Sequence, residues 1–410
     1  MLKRKYRSPK EVVSQYTWQN LKQAHFYMRQ AKVADAIEIY SQVIPKIWEY
    51  RASTNNQWRT IAEQTDIPSW NWAGAYLREY FYIRQTWFGW QHFTSGLLTT
   101  SDWQKIPFTC QSLLLSTSGW ASIRTKSLRN IIADQMSFLA DARWKETNTE
   151  LIFLKSLHFM VLCYAHTLAF ERPKALEYAH SAIKMLNPET EPYYAVRANE
   201  LLGTAFYTFG QYDQALEAYA ASNNIVYQVG QPAIPIASYY GEGWAYIGNR
   251  QLDNALDAFR HGHLLKSSYA LYYDAARCKY GEGYVHFLQG NYEAALQALY
   301  EALSIFCDDH FDLNSSGNSN SVVSPTMAAA CSHILAIVYE KQGNIKEALR
   351  HETQAVDWQR KIEDPGQLSD MLRRAIKLNL QSFQFIDVLK YLFEFLRLRL
   401  RYRVPTICLN

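Results

Sequence analysis

A small side chain recurs every 40 residues along the middle of this 410-residue chain, and this spacing strongly constrains the fold. The recurring small residues are Cys163, Gly203, Gly243 and Gly283. An alanine followed by leucine recurs in the same phase, at Ala175, Ala215, Ala255 and Ala295. Small residues let two helices approach closely, and large residues three or four positions away fill the space beside them. Each 40-residue unit is therefore predicted to be a pair of helices.

Two further copies extend the array. A fifth copy reads LAIVYEKQGNIKEALRHETQAV and contains Gly343 and Ala348, and a more distant copy at 18–45 contains Ala24 and Ala36. One helix pair cannot bury its apolar face alone, so consecutive pairs must stack on one another. The sequence therefore predicts an all-α fold, an α-solenoid of stacked antiparallel helix pairs.

The segment LLGTAFYTFGQYDQALEAY at 201–219 resembles the tetratricopeptide repeat (TPR) family, with its Leu-Gly-x-x-aromatic and Gly-x-Tyr-x-x-Ala-Leu positions. The resemblance covers 151–360, 18–45 and, more distantly, 371–400. It implies a right-handed superhelix in which the first helix of each pair lines a concave groove. The spacing of 40 exceeds the family's usual period of about 34, which is similar to the signalling subclass with longer helices.

Three regions are predicted along the chain. Residues 1–150 form a tryptophan-rich helical region with the helix pair at 18–45, and 151–370 form the repeat array, with a surface insertion loop at 307–325. Ten of the twelve tryptophans lie in the first 144 residues, either packing divergent helices or forming an aromatic binding surface. Residues 371–410 alternate leucine and arginine near their end, but the preceding FIDVLKYLFEF is helical, so we predict a capping helix with a basic tail.

Charge is uneven although the net charge is only +4. Residues 1–10 carry +5 and residues 371–410 carry +6, which leaves −7 on the remaining 360 residues. A dedicated nucleic-acid binder usually has a continuous basic patch, so neither nucleic acid nor a membrane is the expected partner. The N-terminus has no apolar stretch after its basic residues, and the six cysteines form no CxxC pair. These features favour a cytoplasmic protein with reduced thiols.

Motifs of catalysis are absent from the sequence. It contains no GxxxxGK[ST], GxGxxG, HExxH or GxSxG pattern. Asp312, Asn314, Ser316 and Gly317 resemble the start of a calcium loop, but Val323 stands at the twelfth position, where such a loop needs a bidentate glutamate. We therefore expect no enzyme activity, no cofactor, no metal and no small-molecule substrate.

The resemblance implies which residues face a ligand. Counted from the small residue of each first helix, the candidate groove residues are Arg197, Glu200, Tyr207, Tyr240, Trp244, Arg277, Tyr280, Tyr284 and Phe287. The phrase Tyr-Gly-Glu-Gly-aromatic occurs twice, and each glycine inside a helix costs about 1 kcal/mol relative to alanine. Either close helix packing or room for a ligand beside an aromatic wall explains the glycines. Glu242 and Glu282 should have cationic partners if they are buried.

These observations predict a non-catalytic interaction scaffold that binds a peptide or a partner protein in an aromatic groove. Two alternatives remain open. One is a peptide-sensing regulatory protein whose output module is residues 1–150. The other is an adaptor that contacts nucleic acid or an anionic membrane through its basic ends.

Overall fold

The structure, a computed structural model, describes residues 108–402 apart from 124–126, 146–147, 231–237, 269–271, 308–323 and 361–364, together with scattered positions between 20 and 42. Within these residues it is helical, with turns between the helices and no strand. The chain divides into two compact units between Asn249 and Arg250.

The first unit contains seven described helices after position 107. They are α1 Phe108–Ser122, α2 Leu128–Leu139, α3 Thr149–Leu168, α4 Arg172–Met185, α5 Pro192–Thr208, α6 Tyr212–Val229 and α7 Tyr239–Gly248. Short links place consecutive helices side by side and antiparallel. α3 packs on α4 and α5 packs on α6, while α5 also contacts α3 and α7. The first helices of successive pairs therefore form a layer of their own.

The second unit repeats this arrangement with seven described helices. They are α8 Leu252–Ser268, α9 Tyr272–Leu288, α10 Tyr292–Phe306, α11 Pro325–Lys341, α12 Ile345–Gln359, α13 Pro365–Gln381 and α14 Phe385–Tyr402. The pairs α9–α10, α11–α12 and α13–α14 pack internally, and α9 contacts α11. The prediction of stacked helix pairs is confirmed, and the Leu/Arg alternation lies in a helix up to Tyr402.

The turn inside each pair uses a residue in the left-handed backbone region. Gly210, Gly290 and Gly343 have φ between 73° and 78°, at equivalent places in three pairs. At the equivalent turns Phe170 and Phe383 adopt φ of 57° and 59°. A left-handed residue just after a helix lets the chain reverse within a few residues. The short links that hold the helix pairs together follow from this turn.

α3 is deeply buried in the first unit, with Leu157, Val161 and Leu162 wholly inside. By length and composition alone its 20 residues are sufficient to cross a membrane. However, 72% of its apolar 18-residue stretch is buried within the protein. This burial is that of a core helix of the repeat array.

The predicted helix pair at 18–45 is described only in part. Its described positions are helical on both sides of a turn at Gln30 and Ala31, and Ala24, Ala36 and Tyr40 are fully buried. Arg29 forms an ion pair with Glu191, at the start of α5.

Several sequence predictions lie outside the described residues. These are the basic N-terminus, the tryptophan-rich stretch before 108, nearly all of the loop at 307–325 with its acidic residues, and the tail after 402. Two described tryptophans pack against neighbouring rings. The ring centroids of Trp144 and Phe108 are 4.8 Å apart, and those of the stacked Trp120 and Tyr164 are 5.3 Å apart. The region boundaries at 150 and 370 stay predictions.

Candidate functional site

Three candidate groove residues lie on α5, and two of them form an ion pair. Arg197 pairs with Glu200 one turn later, and both side chains are half-buried. Glu200 also accepts a hydrogen bond of 2.8 Å from the hydroxyl of Ser238, which immediately precedes α7. Arg197 thus already contacts a carboxylate, and that carboxylate links α5 to the start of α7.

The link continues into α6 through buried polar side chains. The Ser238 hydroxyl lies 2.7 Å from that of Ser222, and the Ser238 backbone N–H donates to Asn223 at 2.8 Å. The Asn223 amide in turn donates to Glu242 at 3.3 Å. We call Glu200, Ser222, Asn223, Ser238 and Glu242 the polar chain. It fixes the relative positions of α5, α6 and α7, since buried polar groups left without these bonds are costly.

No sequence pattern marks the serines and the asparagine of the polar chain. Ser222, Asn223 and Ser238 follow no period in the repeat. The one usable signal was Ser238, because serine is a preferred residue immediately before a helix.

Half-exposed aromatic residues lie beside the polar chain. Tyr240 and Trp244 are neighbours on α7, with ring centroids 6.1 Å apart in an edge-on arrangement. Tyr207 on α5 packs against the buried cluster of Ala215, Tyr219 and Ala245. All three side chains are half-buried and so remain partly open to solvent.

The second unit has a similar set on α9. Tyr280, Tyr284 and Phe287 are half-buried and pack against the cluster that includes Leu299 and Leu335. Tyr284 and Phe287 have ring centroids 6.1 Å apart.

Arg277, the remaining candidate residue on α9, lies 3.3 Å from Asp274 on the same helix. Five of the nine candidate residues thus belong to the first unit and four to the second, and within each unit they lie on first helices. A single groove shared by both sets stays a prediction.

The helix glycines make room for aromatic rings of the second helices. A Cβ at Gly241 would lie 2.4 Å from the Tyr219 ring, and one at Gly203 would lie 2.7 Å from the same ring. A Cβ at Gly281 would likewise lie 2.4 Å from the Phe259 ring. Of the two explanations for the glycines, close packing is therefore the one that the structure shows.

Glu282 is buried and has the cationic partners that a buried carboxylate needs. Its carboxylate lies 3.0 Å from Lys279 and 3.0 Å from Arg260. Burial opposes its ionisation, but hydrogen bonds from Lys279 and Arg260 outweigh burial and lower the pKa of Glu282. Glu242, its counterpart in the first unit, is only half-buried and accepts a hydrogen bond from the Asn223 amide.

A buried hydrogen-bonded series in the first unit contains a serine and a histidine, a pairing that also occurs in nucleophilic catalysis. Ser112 lies 2.8 Å from Nε2 of His158, whose Nδ1 contacts Gln135. All three side chains are nearly or fully inaccessible, so they satisfy each other within the core. Burial likewise raises the pKa of the Cys163 and Cys278 thiols to about 12, which keeps them protonated. Among the described residues no cluster of metal-ligating side chains occurs.

Comparison with known proteins places this geometry in a fold class. No protein-family model matches the chain, and no curated protein matches it. A crystal structure of a Rap protein complexed with Competence and Sporulation Factor is similar, with a TM-score of 0.58 and 11% identity, covering 95% of this chain and 99% of that chain. The apo form of the quorum sensor NprR from B. thuringiensis gives a TM-score of 0.53 and 12% identity, with the same coverage.

At these identities the likeness shows the fold. The chain is a helical-repeat protein with a TPR-like solenoid fold, as the repeat residues predicted.

Proposed function

We propose that this protein binds a peptide or an extended segment of a partner protein along its first helices, without catalysing a reaction. The observation that carries the proposal is the set of half-buried aromatic side chains on α5, α7 and α9. Those on α5 and α9 pack against buried clusters, and the two on α7 pack edge-on against each other. Rigid aromatic residues with polar tips make good anchors, because they bury a large area and lose little conformational freedom on binding.

The ion pairs beside the aromatic residues supply polarity. Arg197 and Arg277 each contact a carboxylate of their own helix, Glu200 and Asp274. An acidic group on the ligand would share the guanidinium with that carboxylate, since arginine has five N–H donors. A ligand with aromatic or aliphatic side chains and an acidic group fits both features.

A regulatory sensor is a second candidate, and a specific observation favours it. The two solved structures reported above each cover 95% of this chain. One is described as a quorum sensor, and the other is a Rap protein complexed with Competence and Sporulation Factor. We propose on this basis that ligand binding to the repeats regulates an activity of the N-terminal region. Ligand-dependent protection of residues 1–150 from hydrogen exchange would support this form of the proposal, and unchanged exchange there would contradict it.

The binding proposal is tested by selecting ligands from a random peptide library on the full-length protein. The selected peptides are then measured by titration against Tyr240→Ala/Trp244→Ala and against Tyr227→Ala. Tyr227 is an exposed tyrosine of α6, a second helix, and serves as the matched control. We expect the double variant to weaken binding by about a thousandfold, since two anchor residues at about 2 kcal/mol each sum to about 4 kcal/mol.

The control variant should bind like the wild type. Thermal melts followed by circular dichroism check that both variants fold. Failure to select any peptide, or equal affinity of a folded double variant, would contradict binding at these residues.

A further inference from the structure

The last helix has apolar side chains on two opposite faces. On its inner face Val388 and Tyr391 are buried, and Phe395 and Leu398 pack toward the cluster that includes Leu372 of α13. Its outer face carries exposed large apolar residues, which we call the outer band: Phe385, Ile386, Leu389, Leu392, Phe393, Leu396 and Leu400. Ile386, Phe393 and Leu400 are 84%, 73% and 85% exposed.

The outer band is a large exposed apolar surface on a folded helix. A contiguous exposed apolar surface on a folded protein generally marks an interaction site. Phe383, in the turn before α14, extends the exposed apolar surface at 78% exposure.

Charge along one edge of the outer band indicates the kind of partner. At 100° per residue, Lys390 and Arg397 lie next to Ile386 around the helix, and both are exposed. The acidic residues Asp387 and Glu394 lie further round toward the inner face, and Glu394 is paired with Arg360 at 2.6 Å. The band therefore has a basic border.

We propose that α14 binds an anionic membrane surface, with the outer band in the boundary between headgroups and acyl chains and the basic border among the headgroups. Interfacial helices combine phenylalanine and leucine on one face with lysine and arginine beside it. The outer band is the convex side of a helix, a shape that a bilayer accepts without a matching groove. This surface is separate from the aromatic residues of α5, α7 and α9, so the inference does not depend on the proposed function.

A second copy of the chain is a less suitable occupant. Pairing two outer bands in antiparallel fashion would bring Lys390 and Arg397 of one copy close to the same residues of the other. Like charges at such an interface repel each other. An anionic surface instead complements the basic border.

The test is cosedimentation of the full-length protein with phosphatidylcholine vesicles that contain or lack phosphatidylserine, at low and high salt. We expect binding that requires phosphatidylserine and weakens with salt. Ile386→Ser/Phe393→Ser should reduce binding at least about a hundredfold, since the loss of each inserted side chain weakens binding at least about tenfold. Lys390→Gln/Arg397→Gln should reduce it about fivefold per charge.

The matched control is Leu264→Ser/Leu288→Ser, which replaces two exposed leucines of α8 and α9 and should bind like the wild type. No binding to phosphatidylserine vesicles, or an equal loss in the control, would overturn the proposal. A concentration-dependent dimer in sedimentation velocity that Ile386→Ser/Phe393→Ser abolishes, without vesicle binding, would assign the outer band to a second copy and also overturn it. All substituted positions are exposed, so folding is checked by melting temperature.

Discussion

At the scale of single residues, Tyr219 shows how one buried ring sets the distance between helices. Its ring lies against both Gly203 and Gly241, so α6 approaches α5 and α7 only where a side chain is missing. In the repeat that contains Gly283, leucine takes the place of the tyrosine, and a Cβ at Gly283 would lie 2.8 Å from Leu299. The size of the second-helix side chain and the presence of glycine on the neighbouring helix therefore depend on each other.

Gly241→Ala should lower the free energy of unfolding by about 1–3 kcal/mol, since the buried ring of Tyr219 cannot move away from the new methyl group. This cost exceeds the gain of about 1 kcal/mol that alanine brings to a helix. Urea denaturation measures the effect. Combining it with Tyr219→Leu should cost less than the sum of the two single changes, and strict additivity would show that the ring and the glycine are not coupled.

His351 on α12 predicts a pH dependence of stability. The Tyr300 hydroxyl lies 2.7 Å from its Nε2, and its ring is stacked on Tyr339 at 5.5 Å. Burial, and then the Arg350 guanidinium, lower the pKa of His351 from 6.5 to about 4. The folded state therefore holds it neutral, while the unfolded chain protonates it at higher pH.

Because the unfolded state binds the proton first, His351 should cost the protein about 2–3 kcal/mol of stability as the pH falls from 6.5 to about 4. His351→Gln should flatten this part of the stability curve, measured by denaturation at several pH values. His180→Gln, at an exposed histidine of α4, should keep the wild-type slope. If His351→Gln leaves the slope unchanged, another group is responsible for it.

At the scale of elements, the polar chain determines how α7 joins α5 and α6. Ser238→Ala removes the donor to the half-buried Glu200 and the partner of the buried Ser222 hydroxyl. We expect a loss of about 1–3 kcal/mol in stability. Hydrogen exchange should be faster specifically in α7.

The control is Ser304→Ala, since that exposed hydroxyl bonds only locally to the Glu301 carbonyl in the described contacts. Unchanged exchange in α7 after Ser238→Ala would show that apolar packing alone positions this helix.

The turns offer a stabilising change. Phe170 has φ of 57° and a side chain that is 74% exposed, so it bears backbone strain with little packing to lose. Phe170→Gly should raise stability by up to about 1 kcal/mol, because glycine adopts the left-handed region without strain. Ala169→Gly, one residue earlier with φ of −80°, should instead destabilise. Thermal melts distinguish the two, and a loss of stability in Phe170→Gly would show that its ring contributes to packing.

At the scale of the whole molecule, the repeat period predicted the solenoid because helix pairing depends on local steric fit at Gly203, Ala215 and their counterparts. The prediction of cations beside a buried Glu282 is confirmed, since a buried carboxylate needs such partners. The polar chain could not be predicted, because its contacts depend on how α6 meets the start of α7. The outer band of α14 could not be predicted either, since both faces of that helix are apolar in sequence and only packing on α13 decides which is exposed.

The central claim is that a ligand contacts the aromatic residues of the first helices. The most direct measurement is site-specific photo-crosslinking in the host cell, with a photoreactive phenylalanine analogue at position 240 and, in a separate protein, at position 227. Both positions carry tyrosine, on α7 and α6. The account predicts a discrete peptide or protein adduct from position 240 and none from position 227. Adducts from position 227 alone, or the same adducts from both, would contradict it.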